Sequence, residues 1–326
     1  MVLIVKRILR NTLDRGDKVG VLILAFNRPK SFSRLIECLL TNTSQEIFIS
    51  VDGGCTKDNE QVRNLANAFK NKYPTKIHIN LMSENHGLRR GVIKGIDWFF
   101  ENVEIGIILE EDLEILTTNP QNLFSSMFKF LNFNCDTVIN LSTFTTVKNP
   151  QAVENNSLVF YKNQDFYMWG WATHKTVWEG FKSNLSSNNF KQFLKTIPMS
   201  KIRERIYWIA INRLVMKRQI DSWGYSFLFY SLVHQTLYVP SKPIVRNNGF
   251  LIGANYSKFS FFDKALENTS AGRFHVTENS LKICGQNEFV FERNRKIRHN
   301  ITNYTTLKAI FWNLFPIRRF LKKIKK

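Results

Sequence analysis

Cysteine is scarce: Cys38, Cys55, Cys135 and Cys284 are the only four, they lie far apart, and no two form a CxxC pair. That spacing argues against a zinc ribbon or a disulfide framework and makes a reducing cytoplasm the simplest setting. No apolar run approaches the roughly 18–20 residues that a helix needs to cross a bilayer. The opening MVLIVKRILR is too short and too charged to be expected to work as a signal-peptide core. There is no GxGxxG after the first apolar run and no GxxxxGK[ST] anywhere, so dinucleotide-binding and P-loop readings lose their main support. Internal repeats and low-complexity segments are missing too.

Acidic residues are absent from Arg293 to Lys326, where eleven basic side chains fall, and Met1 to Lys18 holds five basic residues against two acidic ones. Fourteen of the twenty net positive charges therefore sit at the two ends, and the middle of the chain is only mildly basic. Such a distribution fits an anionic surface better than a nucleic-acid groove, and no nucleic-acid-binding module is recognisable. A non-enzymatic nucleic-acid-binding protein is the alternative this charge leaves open. In PIRRFLKKIKK, Ile317, Phe320, Leu321 and Ile324 share one helical face while six Lys and Arg residues surround it. That pattern is expected of a peripheral anchor on an anionic membrane. Residues 1–18 read as a basic N-terminal segment, 19–300 as the folded domain and 301–326 as a basic, amphipathic, membrane-associating tail.

Hydrophobic residues make up 44% of the chain and aromatic ones 13%, enough for a sizeable core. The first 115 residues alternate strand and helix patterns. VGVLILAF, EIFISV, KIHINLM and IGIILE are buried-strand runs, and between them lie three helical stretches: one behind Pro29, one from Asn59 to Lys72, and LRRGVIKGIDWFF. TVINLSTF reads as a fifth strand, and Lys201 to Gln219 as a long helix. Buried strands alternating with helices imply an α/β fold with a mostly parallel sheet covered on both faces. Ligands bind outside the carboxyl ends of such strands. Here those ends carry Asn27-Arg28-Pro29, Asp52-Gly53-Gly54, Ser83 to Gly87, and three adjacent carboxylates, Glu110, Glu111 and Asp112. Adjacent acids at the end of a buried strand call for a cation or a proton between them. Arg89 and Arg90 fall in a helix's first turn, where they oppose its dipole and make sense as partners of a bound anion. Mg2+ or Mn2+ held by one or two carboxylates and phosphate oxygens would neutralise a departing nucleotide diphosphate.

LEEDLEI at this place resembles the acidic motif of the GT-A glycosyltransferases, in the Glu-Asp-Asp version of N-acetylglucosaminyltransferase I, with Glu111 standing for the middle Asp. The resemblance implies Asp112 as the metal ligand, with Glu110 and Glu111 contacting the sugar or ribose. ILAFNRP is similar to the family's first nucleotide loop, which brings in Asn27 and Arg28. SVDGG matches the position where an Asp meets the uracil edge, here Asp52. ENHGLRRGVIKGI looks like its asparagine-glycine segment, which carries Asn85 and Arg89. WGWAT and SWGYS also resemble segments of bacterial enzymes that build lipopolysaccharide and capsule sugars. Those enzymes often carry an Asp after the Trp of the second segment, where this chain has Gly224. A sugar face stacks well on an aromatic ring, so Trp169 and Trp171, in an aromatic-rich stretch, are read as acceptor-side residues, and Asp221, just ahead of SWGYS, as the catalytic base. The bland alternatives are core packing for the tryptophans and a helix cap for Asp221.

The implied protein has a GT-A, Rossmann-like fold: a mixed, mostly parallel sheet flanked by helices, with a C-terminal amphipathic helical extension. Residues 19–115 would be the nucleotide-sugar half and 116–300 the acceptor half. The expected activity is metal-dependent, inverting hexosyl transfer from a nucleotide-diphosphate sugar, a UDP-sugar first among them. The acceptor would be a glycan or lipid-linked oligosaccharide at the inner face of the cell membrane. A sugar-phosphate nucleotidyltransferase shares the early sheet, but the glycine-rich basic loop expected after its first strand is missing.

Overall fold

The alternation in the first 115 residues forms as the pattern predicts. β1 (Val19–Ala25), α1 (Pro29–Asn42), β2 (Glu46–Val51), α2 (Lys57–Lys72), β3 (Ile77–Leu81), α3 (Gly87–Asn102) and β4 (Ile105–Glu110) succeed one another. The structure is a computed structural model that describes residues 17–142, 158–163, 166, 168–184, 189–218, 221–249 and 281–284. The amphipathic extension expected over 301–326, and all but two residues of the basic segment 1–18, lie outside the described residues.

Local chemistry accounts for the helix starts. α1 opens on Pro29 and buries Phe32, Leu35, Ile36 and Leu39, the residues its spacing marks. α2 begins at Thr56, whose hydroxyl accepts from the Asn59 N–H at 3.2 Å, with Asp58 and Glu60 in its first turn and Lys70 and Lys72 in its last. α3 differs. Its N-cap, His86, makes no side-chain capping bond, and no acid occupies its first turn.

The second half adds β5 (Leu113–Ile115), α4 (Pro120–Phe133), β6 (Thr137–Asn140), β7 (Leu158–Asn163), β8 (Trp171–His174), α5 (Lys175–Ser183) and α6 (Asn189–Thr196). A 3-10 turn (Met199–Lys201), α7 (Ile202–Met216), α8 (Gly224–His234), β9 (Thr236–Pro240), β10 (Val245–Asn247) and β11 (Leu281–Cys284) complete it. The described strands form a nine-stranded sheet in the order β11-β7-β9-β6-β8-β4-β1-β2-β3, and β5 pairs separately with β10. β3, β2, β1 and β4 are parallel neighbours, while β8 runs antiparallel between β4 and β6. The sheet is thus mixed and mostly parallel with helices on both faces, the α/β class expected.

Alternate residues of β1 feed two cores, as a strand buried on both faces requires. Val21 and Ile23 pack with Leu35, Val62, Phe124 and Leu131 from α1, α2 and α4. Leu22 and Leu24 pack on the other face with Phe99, Trp178, Phe193 and Phe227 from α3, α5, α6 and α8. Gly106 in β4 lets Phe99 lie against the sheet: a Cβ there would overlap the ring.

Candidate functional site

The loops that leave β1, β2, β3 and β4 at their carboxyl ends are tied to one another by buried polar groups. Asn59, fully buried near the start of α2, donates from Nδ2 to the carbonyls of Phe26 (2.7 Å) and Asp52 (2.9 Å). Asp52 Oδ1 accepts from the N–H groups of Gly53 and His86, both at 3.0 Å, which joins the second loop to the third. Gly53 N–H also reaches the Glu84 carbonyl at 3.2 Å. Gly91 lets α3 settle onto the Asp52 carboxylate, for a Cβ there would stand 2.8 Å from Oδ2.

The three consecutive acids divide the work. Glu111 is buried and accepts from Phe26 N–H at 2.8 Å and Asn27 N–H at 3.2 Å, one on each oxygen. Glu111, 4% exposed and holding two backbone N–H groups, shapes the first loop, at a position where contact with the donor was the expectation. Asp112 is equally buried, and Arg28 Nη1 lies 2.5 Å from its Oδ2. Its Oδ1 is buried without a hydrogen-bond partner. Glu110 is half-buried at the end of β4. Burial, with Asp112 and Glu111 adding to it against Arg28, pushes the Glu110 carboxyl up to about 8, so it carries its proton at neutral pH. Burial also raises Glu111, against the bonds from Phe26 and Asn27, and Asp112, against Arg28 and its own backbone N–H.

A fifth segment closes over Asp112 and was not singled out from the sequence. β10 pairs with β5, placing Arg246 opposite Glu114, and Arg246 Nη2 lies 2.6 Å from Glu114 Oε2. Asn248 donates from Nδ2 to the same oxygen at 3.1 Å, and its N–H reaches the Asp112 carbonyl at 3.0 Å. Gly249 then packs so closely on Asp112 Oδ2 that a Cβ would overlap it. The signal was the NNG triplet of residues 247–249, legible as a loop but not as a lid on a carboxylate 135 positions earlier.

The remaining expected residues fall as follows. Asn27 and Arg28 are half-buried on the first loop, and Asn85 is exposed on the third, its Oδ1 accepting from Gly87 N–H at 2.8 Å. Arg89 is half-buried and Arg90 exposed in the first turn of α3, and neither makes an ion pair with a described residue. Asp221 is exposed beside the same helix end: a Cβ on Gly87 would lie 3.5 Å from its Oδ2. It does not cap α8, whose N-cap is Trp223. Trp169 is partly buried against the core. Trp171 is fully buried, with its ring centroid 4.9 Å from Phe227 and 5.8 Å from Trp223. Its expected place on the acceptor side is therefore corrected, because a ring enclosed by other aromatics has no face to offer a sugar.

The donors can be tested against a divalent cation. Among the described residues no group of three or more His, Cys, Asp or Glu side chains is arranged to hold one. Asp112 nevertheless presents a buried oxygen with no partner. One carboxylate suits an ion that shares its shell with ligand phosphates, and does not suit an ion caged by protein alone. Among the described residues no helix is long and apolar enough to cross a membrane.

No protein-family model matches the sequence, and no curated protein sequence matches it. Among solved structures, a mannosyltransferase from Pyrobaculum calidifontis in complex with GDP-Man and Mn2+ aligns with 54% of this chain and 53% of its own, at 13% identity and a TM-score of 0.35. GalNAc-T7 with UDP, GalNAc and Mn2+ aligns with 50% of this chain and 36% of its own, at 9% identity and a TM-score of 0.38. A putative glucose-1-phosphate thymidylyltransferase from Bacillus anthracis aligns with 50% of this chain and 74% of its own, at 9% identity and a TM-score of 0.33. Overlaps this slight, with sugar transferases and nucleotidyltransferases alike, carry no argument about the reaction.

Proposed function

We propose that the chain is a glycosyltransferase moving a sugar from a nucleotide-diphosphate sugar, with UDP-sugars the first donors to try, to a hydroxyl of a glycan or lipid-linked acceptor. The observation that carries this reading is Asp112. It is a buried strand-end carboxylate with one oxygen on Arg28 and the other unpaired, at the edge of the sheet where four loops are tied together. Asp112 Oδ1 would hold Mn2+ or Mg2+ together with the donor's phosphate oxygens. The bound cation would neutralise charge on the leaving diphosphate.

The chain's own groups supply the rest. Glu111 fixes the first loop, and Asn59 and Asp52 fix the second and third, so that Asn27, Arg28, Asn85 and the outer edge of Asp52 border the nucleotide. Arg89, at the positive end of the α3 dipole, stabilises the diphosphate as it departs. Asp221, beside that helix end, takes the proton of the acceptor hydroxyl. The acceptor oxygen bonds to the anomeric carbon as the carbon–oxygen bond to the diphosphate breaks, which inverts that centre. Trp169 offers a partly exposed ring to the acceptor. In this reading 19–115 binds the donor, 116–300 receives the acceptor, and the basic tail 301–326 keeps the enzyme at the inner face of the membrane. The resemblance of WGWAT and SWGYS to bacterial enzymes favours precursors of lipopolysaccharide or capsule.

A thermal-shift panel of nucleotide sugars with and without Mn2+ tests the reading. One donor should raise the melting temperature only when the cation is present, since a ligand at a hundredfold excess over its Kd stabilises by about 2.7 kcal/mol. If no nucleotide sugar shifts the transition with either Mn2+ or Mg2+, the reading fails.

A further inference from the structure

The two oxygens of Asp112 have different surroundings. Oδ2 is paired with Arg28 and covered by the backbone of Gly249, whereas Oδ1 is buried with no partner. The Asp112 side chain is 5% exposed and that of Arg28 39%. Removing the charged partner of a buried carboxylate is strongly unfavourable, and Arg28 is the cation that pairs with Asp112 among the described residues. A divalent cation approaching Oδ1 therefore meets a positive charge already in place on the same carboxylate.

Arg28 is free to leave in one respect. It occupies the N-cap position of α1 without making a side-chain capping bond, so its departure takes no support from the helix. What would draw it away is a better anion, and a diphosphate offers the planar guanidinium two oxygens at once. We infer that Arg28 is an exchangeable counter-ion: it keeps Asp112 closed to divalent cations until a nucleoside diphosphate takes the guanidinium. Cation and nucleotide then bind interdependently, each raising the other's affinity by the same factor. This rests on the glycosyltransferase reading and adds a role for Arg28 beyond donor contact.

The test is Mn2+ uptake by the full chain, read from the free-ion paramagnetic resonance signal, with no nucleotide and with UDP or GDP. The wild-type chain should take up Mn2+ weakly alone and strongly with a nucleoside diphosphate. Arg28→Gln should bind Mn2+ alone roughly tenfold tighter, the factor that about 1.4 kcal/mol confers, and should lose most of the nucleotide dependence. Arg28→Lys, which keeps a cation and serves as the second folded variant, should fall between. Adding Asp112→Asn to Arg28→Gln should abolish the gain, locating it at this carboxylate. If Arg28→Gln, or Arg28→Lys should the former not fold, binds Mn2+ no tighter while the wild type still responds to nucleotide, the exchange is overturned and the glycosyltransferase reading stands. If Mn2+ uptake responds to no nucleoside diphosphate in any variant, the reading falls and the exchange with it.

Discussion

Glu110, Glu111 and Asp112 are neighbours in sequence that meet three different surroundings. One is half-buried and holds its proton, one grips two backbone N–H groups, and one is paired with Arg28. The sequence shows that the cluster is unusual, but not how it divides, because Glu110 ends β4 while Glu111 and Asp112 form the turn before β5, and partners from distant loops decide where each side chain goes. Trp171 misleads for a related reason: an aromatic-rich segment looks the same whether its rings line a sugar site or pack against one another. Asp221 is the opposite case. A cap was the bland alternative, and the start of α8 at Trp223 leaves its carboxylate exposed beside Gly87 instead. As the base, Asp221 should be needed for turnover and not for donor binding. Asp221→Asn is expected to lower kcat by about 10^2 to 10^4 and leave the donor Kd unchanged. Single-turnover kinetics beside calorimetric titration of the donor separate the two effects. Retained turnover would remove Asp221 from the mechanism.

At the scale of elements, legibility falls off where pairing becomes non-local. β1 to β4 and α1 to α3 were readable because each strand is a continuous apolar run and each helix repeats its apolar residues at 3.6-residue spacing. The insertion of β8 between β4 and β6, and the pairing of β5 with β10, join residues 31 to 134 positions apart, and no local period reports such a partner. Asn59 was hidden likewise, for a polar residue in an amphipathic helix reads as solvated while here it ties two loops together. The docking of α3 depends on glycine in a way the pattern cannot reveal. Gly106, in the middle of β4, gives Phe99 its place on the sheet, and both are enclosed in core. Gly106→Ala is therefore expected to cost about 1–3 kcal/mol through overpacking, measured as a lower denaturant midpoint at unchanged slope. In a Phe99→Leu background the same substitution should cost much less, since the two positions share one contact. Equal costs in both backgrounds would mean that α3 is not seated by this pair.

For the whole molecule, the +20 net charge conceals a local surplus of the other sign, because one guanidinium stands among three carboxyl groups. Burial raises all three in the folded state, and for Glu110 the rise is from 4.5 to about 8. An acid raised by folding binds more protons folded than unfolded between those two values, so stability is fully present below about pH 4.5 and is lost as pH rises through about 8. His174 acts in the opposite sense: burial lowers it, and the stability it contributes above its ordinary value of 6.5 is lost as pH falls through its folded value. A raw pH profile mixes the two, and a variant comparison separates them. Glu110→Gln, which keeps the shape of a neutral carboxyl, should match the wild type near pH 5 and become the more stable protein at pH 8. Each kcal/mol of difference would appear as about 2–4 °C in melting temperature. The carboxyls should feel the ligand as well, since a cation on Asp112 adds positive charge beside Glu110 and lowers its hold on a proton. With nucleotide and Mn2+ bound, the pH dependence that separates the two proteins should shrink. Parallel melting curves for wild type and variant from pH 5 to pH 8 in the free chain would show that Glu110 is ionised in the fold, and the division of roles among the three carboxyls would have to be redrawn.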